Sequence, residues 1–167
     1  MLFNRFYFIL ILIMGVIVLY SYYYYSSFPE FLKLWGNVSK SVIPIYVVSM
    51  LISAIGFLTF LYYIYIKKDF TKEQIFNIFI LSMIIVFFSI FWTPSSILYI
   101  QNKNSHMALI VLFILFIVAI SCFSLFYTVY KIQDNNTTLK MFVNFGLFYF
   151  FFHTFFLDFI IWSYNFF

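Results

Sequence analysis

The chain has 167 residues, of which 66% are hydrophobic and only 8% are charged, and its mean hydropathy is +1.06. This composition excludes an ordinary soluble globular domain, and the length is that of one domain. The net charge is +4, but the nine basic residues are scattered over termini and loops, so no basic patch for nucleic acid is present. We therefore predict a single all-α membrane domain, residues 1–167, whose main partner is the lipid bilayer.

Five apolar runs of the sequence are each long enough to cross ~30 Å of hydrocarbon as a helix. They carry no Lys, Arg, Asp or Glu, apart from a single aspartate in the last run. Six basic residues flank the spans on the N-terminal side of the membrane and three on the other, which favours a cytoplasmic or equivalent N-terminus. The predicted integral, multi-pass helical bundle has transmembrane helices at residues 6–25, 41–66, 75–100, 107–130 and 141–165.

The first connection, residues 26–40, is amphipathic. It is bracketed by Pro29 and Gly36, and its aromatic anchor is Trp35. Such a segment is expected either to lie across the membrane surface or to fold over the bundle as a cover, and the sequence leaves both possibilities open. Its apolar residues are Phe28, Phe31, Leu32, Leu34 and Trp35, and they interleave with Glu30, Lys33 and Lys40.

The second and third spans carry small and hydroxyl-bearing residues. In the second, a ridge of small residues at Ser49, Ser53 and Gly56 is typical of close helix packing. In the third, Pro94 predicts a kink, because proline removes one backbone hydrogen bond from the helix. One face of this helix combines Trp92 with four hydroxyls, and it indicates either a ligand cavity at the kink or a packing surface. The hydroxyl residues are Ser82, Ser89, Thr93 and Ser96.

The fifth span contains Asp158 in an otherwise apolar and aromatic run. A carboxylate in hydrocarbon costs roughly 2.5–3.5 kcal/mol, so this side chain is expected to face protein. At ~100° per residue, Asp158 shares an inward helical face with Thr154, Trp162 and Asn165. We expect the buried carboxyl group to be neutral near pH 7 and to donate a hydrogen bond to a hydroxyl of the third helix.

The two histidines and the single cysteine suggest no metal site and no catalytic pair. His153 precedes Asp158 by five residues, about 140° around an α-helix, so no pair within the helix is expected. It is instead predicted to be a neutral imidazole that a neighbouring helix satisfies. His106 is expected at the start of the fourth span on the far side of the membrane, whereas His153 is expected near mid-membrane, so the two histidines do not pair. Cys122 is the single cysteine and can form no internal disulfide. An Asp-Asn-Asn run, 134–136, predicts a turn before the fifth span.

Motifs in two spans resemble those of the tryptophan-rich sensory protein or translocator protein (TspO/MBR) family. That family tends to read Leu-Asn-x-x-Ile/Leu-Trp-x-x-Asn in its fifth helix, where the family's asparagine is Asp158 here. In the third helix the family shows Asn-x-x-Trp-Ser-x-x-Phe, of which Trp92 is retained. The family's Pro-Tyr-x-x-Trp motif is not retained, and its first-loop pattern is reduced to Pro29 and Trp35. The matching fifth-helix positions are Leu157, Asp158, Ile161, Trp162 and Asn165.

The resemblance implies a five-helix bundle, often a homodimer, with a cavity beneath the first loop. Family members bind porphyrins, sterols or other flat hydrophobic molecules there, and porphyrin breakdown has been proposed for some. We therefore predict binding or movement of a porphyrin or sterol-like ligand, with no further cofactor and no metal. The predicted ligand-binding residues are Trp92, Asp158, Trp162, Ser89, Thr93, Asn165 and Trp35.

A second hypothesis fits the composition equally well. The chain would then be a small structural hydrophobic subunit of a larger membrane complex, organellar or viral, with no ligand. An enzyme is the weakest of the three interpretations, because no nucleophile with an adjacent base and no pair of carboxylates is evident in the sequence.

Overall fold

A computed structural model describes residues 2–67, 70–133 and 137–167, with side chains from residue 5 onward. Within these ranges the chain is helical and contains no strand, which confirms the all-α prediction. The predicted turn at 134–136 and one of the flanking lysines, Lys68, lie outside the described residues.

Five helices are long and apolar enough to cross a bilayer, as expected for a multi-pass membrane protein. The fifth helix, α5, covers Thr137–Phe166 and consists of α-helical Thr137–Phe152, π-helical His153–Trp162 and a final α-helical turn at Ser163–Phe166. The other four are α1 at Leu2–Tyr25, α2 at Ile43–Ile66, α3 at Lys72–Asn102 and α4 at Ser105–Tyr130.

The third helix is longer than its predicted span at both ends. It begins with a capping box in which the Thr71 hydroxyl accepts from the Gln74 N–H at 3.1 Å, while the Gln74 side chain accepts from the Thr71 N–H at 2.9 Å. At the other end, Lys103 adopts a left-handed conformation that terminates the helix. Pro94 lies inside α3 and does not end it.

The five helices form a bundle in which α3 packs against α1 and α4, while α5 packs against α2 and α4. The helices α2 and α5 approach each other closely at Gly56 and Gly146, where a Cβ atom built on Gly56 would lie 2.7 Å from the backbone of Gly146. Ser49 and Ser53 are buried on the same side of α2. The prediction that this ridge of small residues serves helix packing is confirmed.

The first connection folds over the end of the bundle as a cover. It contains a 3₁₀ helix, Pro29–Trp35, whose Leu34 side chain is buried. The Leu34 carbonyl accepts a hydrogen bond of 2.8 Å from the Trp162 indole N–H. A second bond of 2.8 Å joins the Asn37 N–H to the Asn165 carbonyl. Of the two possibilities left open by the sequence, the structure shows the segment folded over the bundle. Both of these hydrogen bonds connect it to the last turns of α5.

The contact between Gly56 and Gly146 gives a direct test of the packing. We expect Gly56→Ala to lower the thermal stability of the purified protein, by roughly 1–3 kcal/mol, because the added methyl group would force α2 away from α5. Melting in a fixed detergent measures the change. Gly15→Ala is the matched control: its Cβ would meet nothing within 4 Å, so the variant should be unchanged or slightly more stable. Equal melting of both variants would contradict the close contact.

Candidate functional site

The π-helical segment of α5 brings together two polar residues of the membrane-spanning region. In a π-helix the backbone hydrogen bonds join residues five apart, so the side chain of residue i+5 lies nearly above that of residue i. In an α-helix the same two side chains would be about 140° apart around the axis. His153 and Asp158 have this separation, and the distance from His153 Nε2 to Asp158 Oδ2 is 3.3 Å. The expectation that these two side chains do not pair is therefore wrong, because it assumed the 100° rotation of an α-helix.

The other nitrogen of His153 contacts the neighbouring helix α2. His153 Nδ1 lies 2.9 Å from the Ser49 hydroxyl oxygen, which also accepts a hydrogen bond of 3.0 Å from the Tyr149 hydroxyl. Because Tyr149 donates to Ser49, the Ser49 proton is available for Nδ1, and the N–H at Nε2 then points to Asp158. We call Tyr149, Ser49, His153 and Asp158 the polar chain. The prediction that a neighbouring helix satisfies His153 is confirmed.

The polar chain has the connectivity of a serine nucleophile, a histidine base and an orienting carboxylate. Sequence reasoning did not predict this arrangement, because its members lie on two helices and the contact between His153 and Asp158 requires the π-helical winding. However, Ser49 is only 2% exposed and lies in the contact between α2 and α5. A carbonyl carbon has no route to its hydroxyl in this packing, so the contacts are those of a structural hydrogen-bond network.

Asp158 faces the interior of the bundle. Its side chain is 25% exposed, yet Tyr22 of α1, Tyr46 of α2 and Cys122 of α4 all lie within electrostatic range of its carboxylate. The Tyr46 hydroxyl donates to the carbonyl of the preceding residue, Leu157, at 3.1 Å. The acid therefore lies near side chains of α1, α2 and α4 and keeps a quarter of its own surface accessible.

The third helix does not supply the partner predicted for Asp158. The Ser89 hydroxyl donates to the Ile85 carbonyl of its own helix at 2.7 Å. Thr93 faces the Tyr22 hydroxyl without reaching hydrogen-bond geometry. The polar contact described for the Asp158 carboxylate is with His153, so the prediction of a bond to α3 is wrong. Two further buried hydroxyls of this face have no hydrogen-bond partner among the described residues, namely Ser82 and Ser96.

Aromatic rings from three helices meet beneath the cover, and we call Tyr22, Trp92, Trp162 and Phe166 the aromatic cluster. The ring centroids of Trp92 and Trp162 are 5.3 Å apart, and those of Tyr22 and Trp92 are 5.7 Å apart. Trp162 stacks on Phe166 at 4.2 Å. The Trp92 indole N–H is buried and has no hydrogen-bond partner in the described part of the chain. Two of the three tryptophans that the sequence analysis selected, Trp92 and Trp162, are thus in contact.

The remaining predicted ligand-binding residues lie at the edges of this cluster. Trp35 belongs to the cover and packs edge-on against Tyr46, with 6.1 Å between ring centroids. The Asn165 side chain donates to the Ile161 carbonyl of its own helix at 2.8 Å. Asn165 contributes to the site through its backbone, since its carbonyl holds the cover at Asn37.

Comparisons with protein-family models, with curated proteins and with solved structures gave no match for this chain. The resemblance to the TspO/MBR family therefore depends on the motif residues of α3 and α5 alone.

The hydrogen bonds of Ser49 can be tested against those of its neighbour on the ridge. Ser49→Ala would leave the Tyr149 hydroxyl and His153 Nδ1 without their shared partner, and we expect a loss of roughly 1–3 kcal/mol of stability. Ser53→Ala is the matched control, because Ser53 is equally buried but donates only to the Ser49 carbonyl of its own helix. Thermal melting of both variants in one detergent provides the comparison. Indistinguishable melting temperatures would remove the polar chain as a stabilising element.

Proposed function

We propose that this protein binds a flat hydrophobic ligand, of the porphyrin or sterol-like class, beneath the cover and between α1, α3 and α5. The observation that supports the proposal is the aromatic cluster together with the buried, unpartnered polar atoms beside it. Planar rings such as those of Trp92 and Trp162 offer stacking surfaces for a planar molecule. By this proposal the protein resembles TspO/MBR proteins in the location of its ligand.

Unpartnered polar atoms are the stronger part of the argument. Nearly all buried polar side-chain atoms in native proteins have a hydrogen-bond partner, and each exception requires an explanation. The Trp92 indole N–H and the Ser96 hydroxyl are both buried, and neither has a partner among the residues that the structure describes. They are four residues apart on α3, hence on one face of the helix. A ligand with a hydrogen-bond acceptor at its edge would satisfy them both.

The two hydrogen bonds of the cover are consistent with a site that opens. Leu34 and Asn37 connect the cover to α5 through one indole N–H and one backbone carbonyl. Loss of these two bonds would release the segment from Trp162 while leaving the five long helices in contact. The ligand would then enter next to Trp162, with the cover closing over it.

The dense packing of the rings favours a second candidate function. With Trp162 stacked on Phe166 and touching Trp92, the aromatic cluster also serves as a well-packed core. Large apolar side chains cover the outside of the bundle, such as Leu19, Tyr23 and Leu109. A structural subunit of a larger membrane assembly would have the same features. Behaviour in detergent separates the two functions, because a self-contained protein stays monodisperse alone and an orphan subunit aggregates.

Porphyrin binding to the purified full chain tests the proposal. We expect added protoporphyrin to quench tryptophan emission in a saturable way. Trp92→Phe should weaken the affinity about fivefold, because an aromatic ring remains for stacking and one hydrogen bond of about 1 kcal/mol is lost. Porphyrin absorbance measures binding to this variant. Phe91→Leu, at an exposed aromatic residue next to Trp92 in the sequence, is the control and should bind as the parent does. Absence of saturable quenching in a monodisperse sample would refute the proposal.

Replacement of the buried acid by its amide should be tolerated. We expect Asp158→Asn to preserve folding and binding of an uncharged flat ligand, since an amide oxygen can still accept the hydrogen bond from His153. Asp158→Leu leaves that donor unpaired and should cost roughly 1–3 kcal/mol of stability. Melting and sterol binding in detergent report both effects. If the asparagine variant lost folding and binding together, the neutral-acid hypothesis would be wrong.

A further inference from the structure

A small apolar groove lies between α1, α2 and α3, at the end of the bundle opposite the cover. It contains about 220 Å³ of empty space, part of which is open to the outside of the bundle. α1 packs mainly against α3 and only slightly against α2, which leaves the groove between them. The rings of Tyr7 and Phe79 stack along it with 3.9 Å between their centroids. The side chains that line the groove are apolar or aromatic, and they include Phe8, Ile11, Leu61, Ile64 and Ile75.

Two exposed basic residues lie at the end of this groove that is nearer the membrane surface. Arg5 precedes Phe8 of α1 by three residues. On α3, Lys72 precedes Ile75 by three residues and Phe79 by seven. Residues with these spacings share one face of an α-helix, so both basic residues belong to faces that line the groove. At 1.5 Å per residue, the groove extends about 10 Å from this charged end toward the membrane centre.

The other charges at this end of the bundle leave an excess of positive charge. Glu73 is exposed next to Lys72. The Lys67 ammonium donates to a carbonyl of the connection between α4 and α5 at 3.2 Å. Lys68 and Asp69 lie outside the described residues. In the sequence, residues 1–12 and 61–79 contain four basic residues and two acidic ones. The groove therefore favours a ligand that has a negative charge next to an apolar chain.

We infer that this groove binds an anionic phospholipid of the surrounding bilayer, with the upper part of one acyl chain along Ile11 and Ile64 and the headgroup phosphate between Arg5 and Lys72. Basic pockets between transmembrane helices bind anionic headgroups, and the cytoplasmic leaflet is rich in anionic lipids. The excess of basic residues on this side of the membrane agrees with that leaflet. The site is separate from the one proposed beneath the cover, which is at the other end of the bundle.

A matched pair of lipids separates the headgroup from the chains. Dioleoylphosphatidylglycerol is anionic and dioleoylphosphatidylcholine is zwitterionic, while their acyl chains are identical. Each is titrated into the full chain in detergent, and native mass spectrometry measures the dissociation constant of the first bound lipid. We expect the anionic lipid to bind about tenfold more tightly, because each basic residue near the headgroup adds to the attraction. Glycerol phosphate, which has the anion without the chains, should bind more than tenfold more weakly than the anionic lipid.

Variants of the two basic residues test the location of the headgroup. Arg5→Gln and Lys72→Gln should each reduce the preference for the anionic lipid to about threefold, and the double variant should reduce it to about onefold. The matched control is Lys33→Gln combined with Lys40→Gln, which removes the same charge from two exposed positions on the opposite side of the membrane. This control should keep the tenfold preference.

Four results would overturn the inference. Equal affinities of the two lipids for the unmodified protein would leave no headgroup site. A preference retained in Arg5→Gln and Lys72→Gln would put the headgroup elsewhere, and an equal loss in the control would make net charge alone responsible. Glycerol phosphate that binds as tightly as the anionic lipid would leave an anion site in which the groove has no part. None of these results bears on the ligand beneath the cover, which the quenching measurement tests separately.

Discussion

The contact between His153 and Asp158 is the interaction on which the conformation of α5 within the bundle depends. A carboxyl group among apolar side chains must have a hydrogen-bond partner, and here the partner comes from the same helix. An α-helix would hold the two side chains apart, whereas the wider π-helical winding of His153–Trp162 superimposes them. The winding is thus coupled to the burial of the acid: one polar requirement is met by a change in the backbone of α5.

The same contact explains why α2 and α5 approach so closely. His153 reaches Ser49 only because the two helix backbones come together, and they do so where Gly56 faces Gly146. Side chains larger than glycine at either position would separate Ser49 from His153 and leave the imidazole unsatisfied. Packing and hydrogen bonding therefore support each other along this pair of helices. The two glycines allow the short distance between the backbones, and that distance lets His153 reach Ser49.

Helix number and burial of the small-residue ridge follow from the sequence, because hydrophobic length and the spacing of small residues are local properties. The meeting of Trp92 with Trp162 also agrees with the expected proximity of α3 and α5. The pairing of His153 with Asp158 could not be predicted from the sequence, because the angle between residues five apart was calculated with the 100° per residue of an α-helix, which does not apply to a π-helix. The hydroxyls of α3 were similarly expected to bind the acid, but the nearer imidazole of α5 takes that place. The one signal in the sequence was the separation of five residues between His153 and Asp158. It indicates a contact only when the segment is known to be π-helical.

Two features of the site are costly for a protein that serves only as a scaffold. Replacement of a buried polar group by an apolar one of similar shape is often neutral or stabilising, so a purely structural bundle gains little from keeping such groups. Yet Trp92 and Ser96 keep buried polar atoms that have no hydrogen-bond partner among the described residues, and Asp158 keeps a carboxyl group inside the bundle. The two costs are independent: one is the unpartnered hydrogen-bonding atoms of α3, and the other is the burial of an ionisable group in α5. They occur in the same part of the molecule, beneath a cover that two hydrogen bonds hold. A flat ligand with an acceptor at its edge would compensate the first cost, while the hydrogen bond from His153 compensates part of the second.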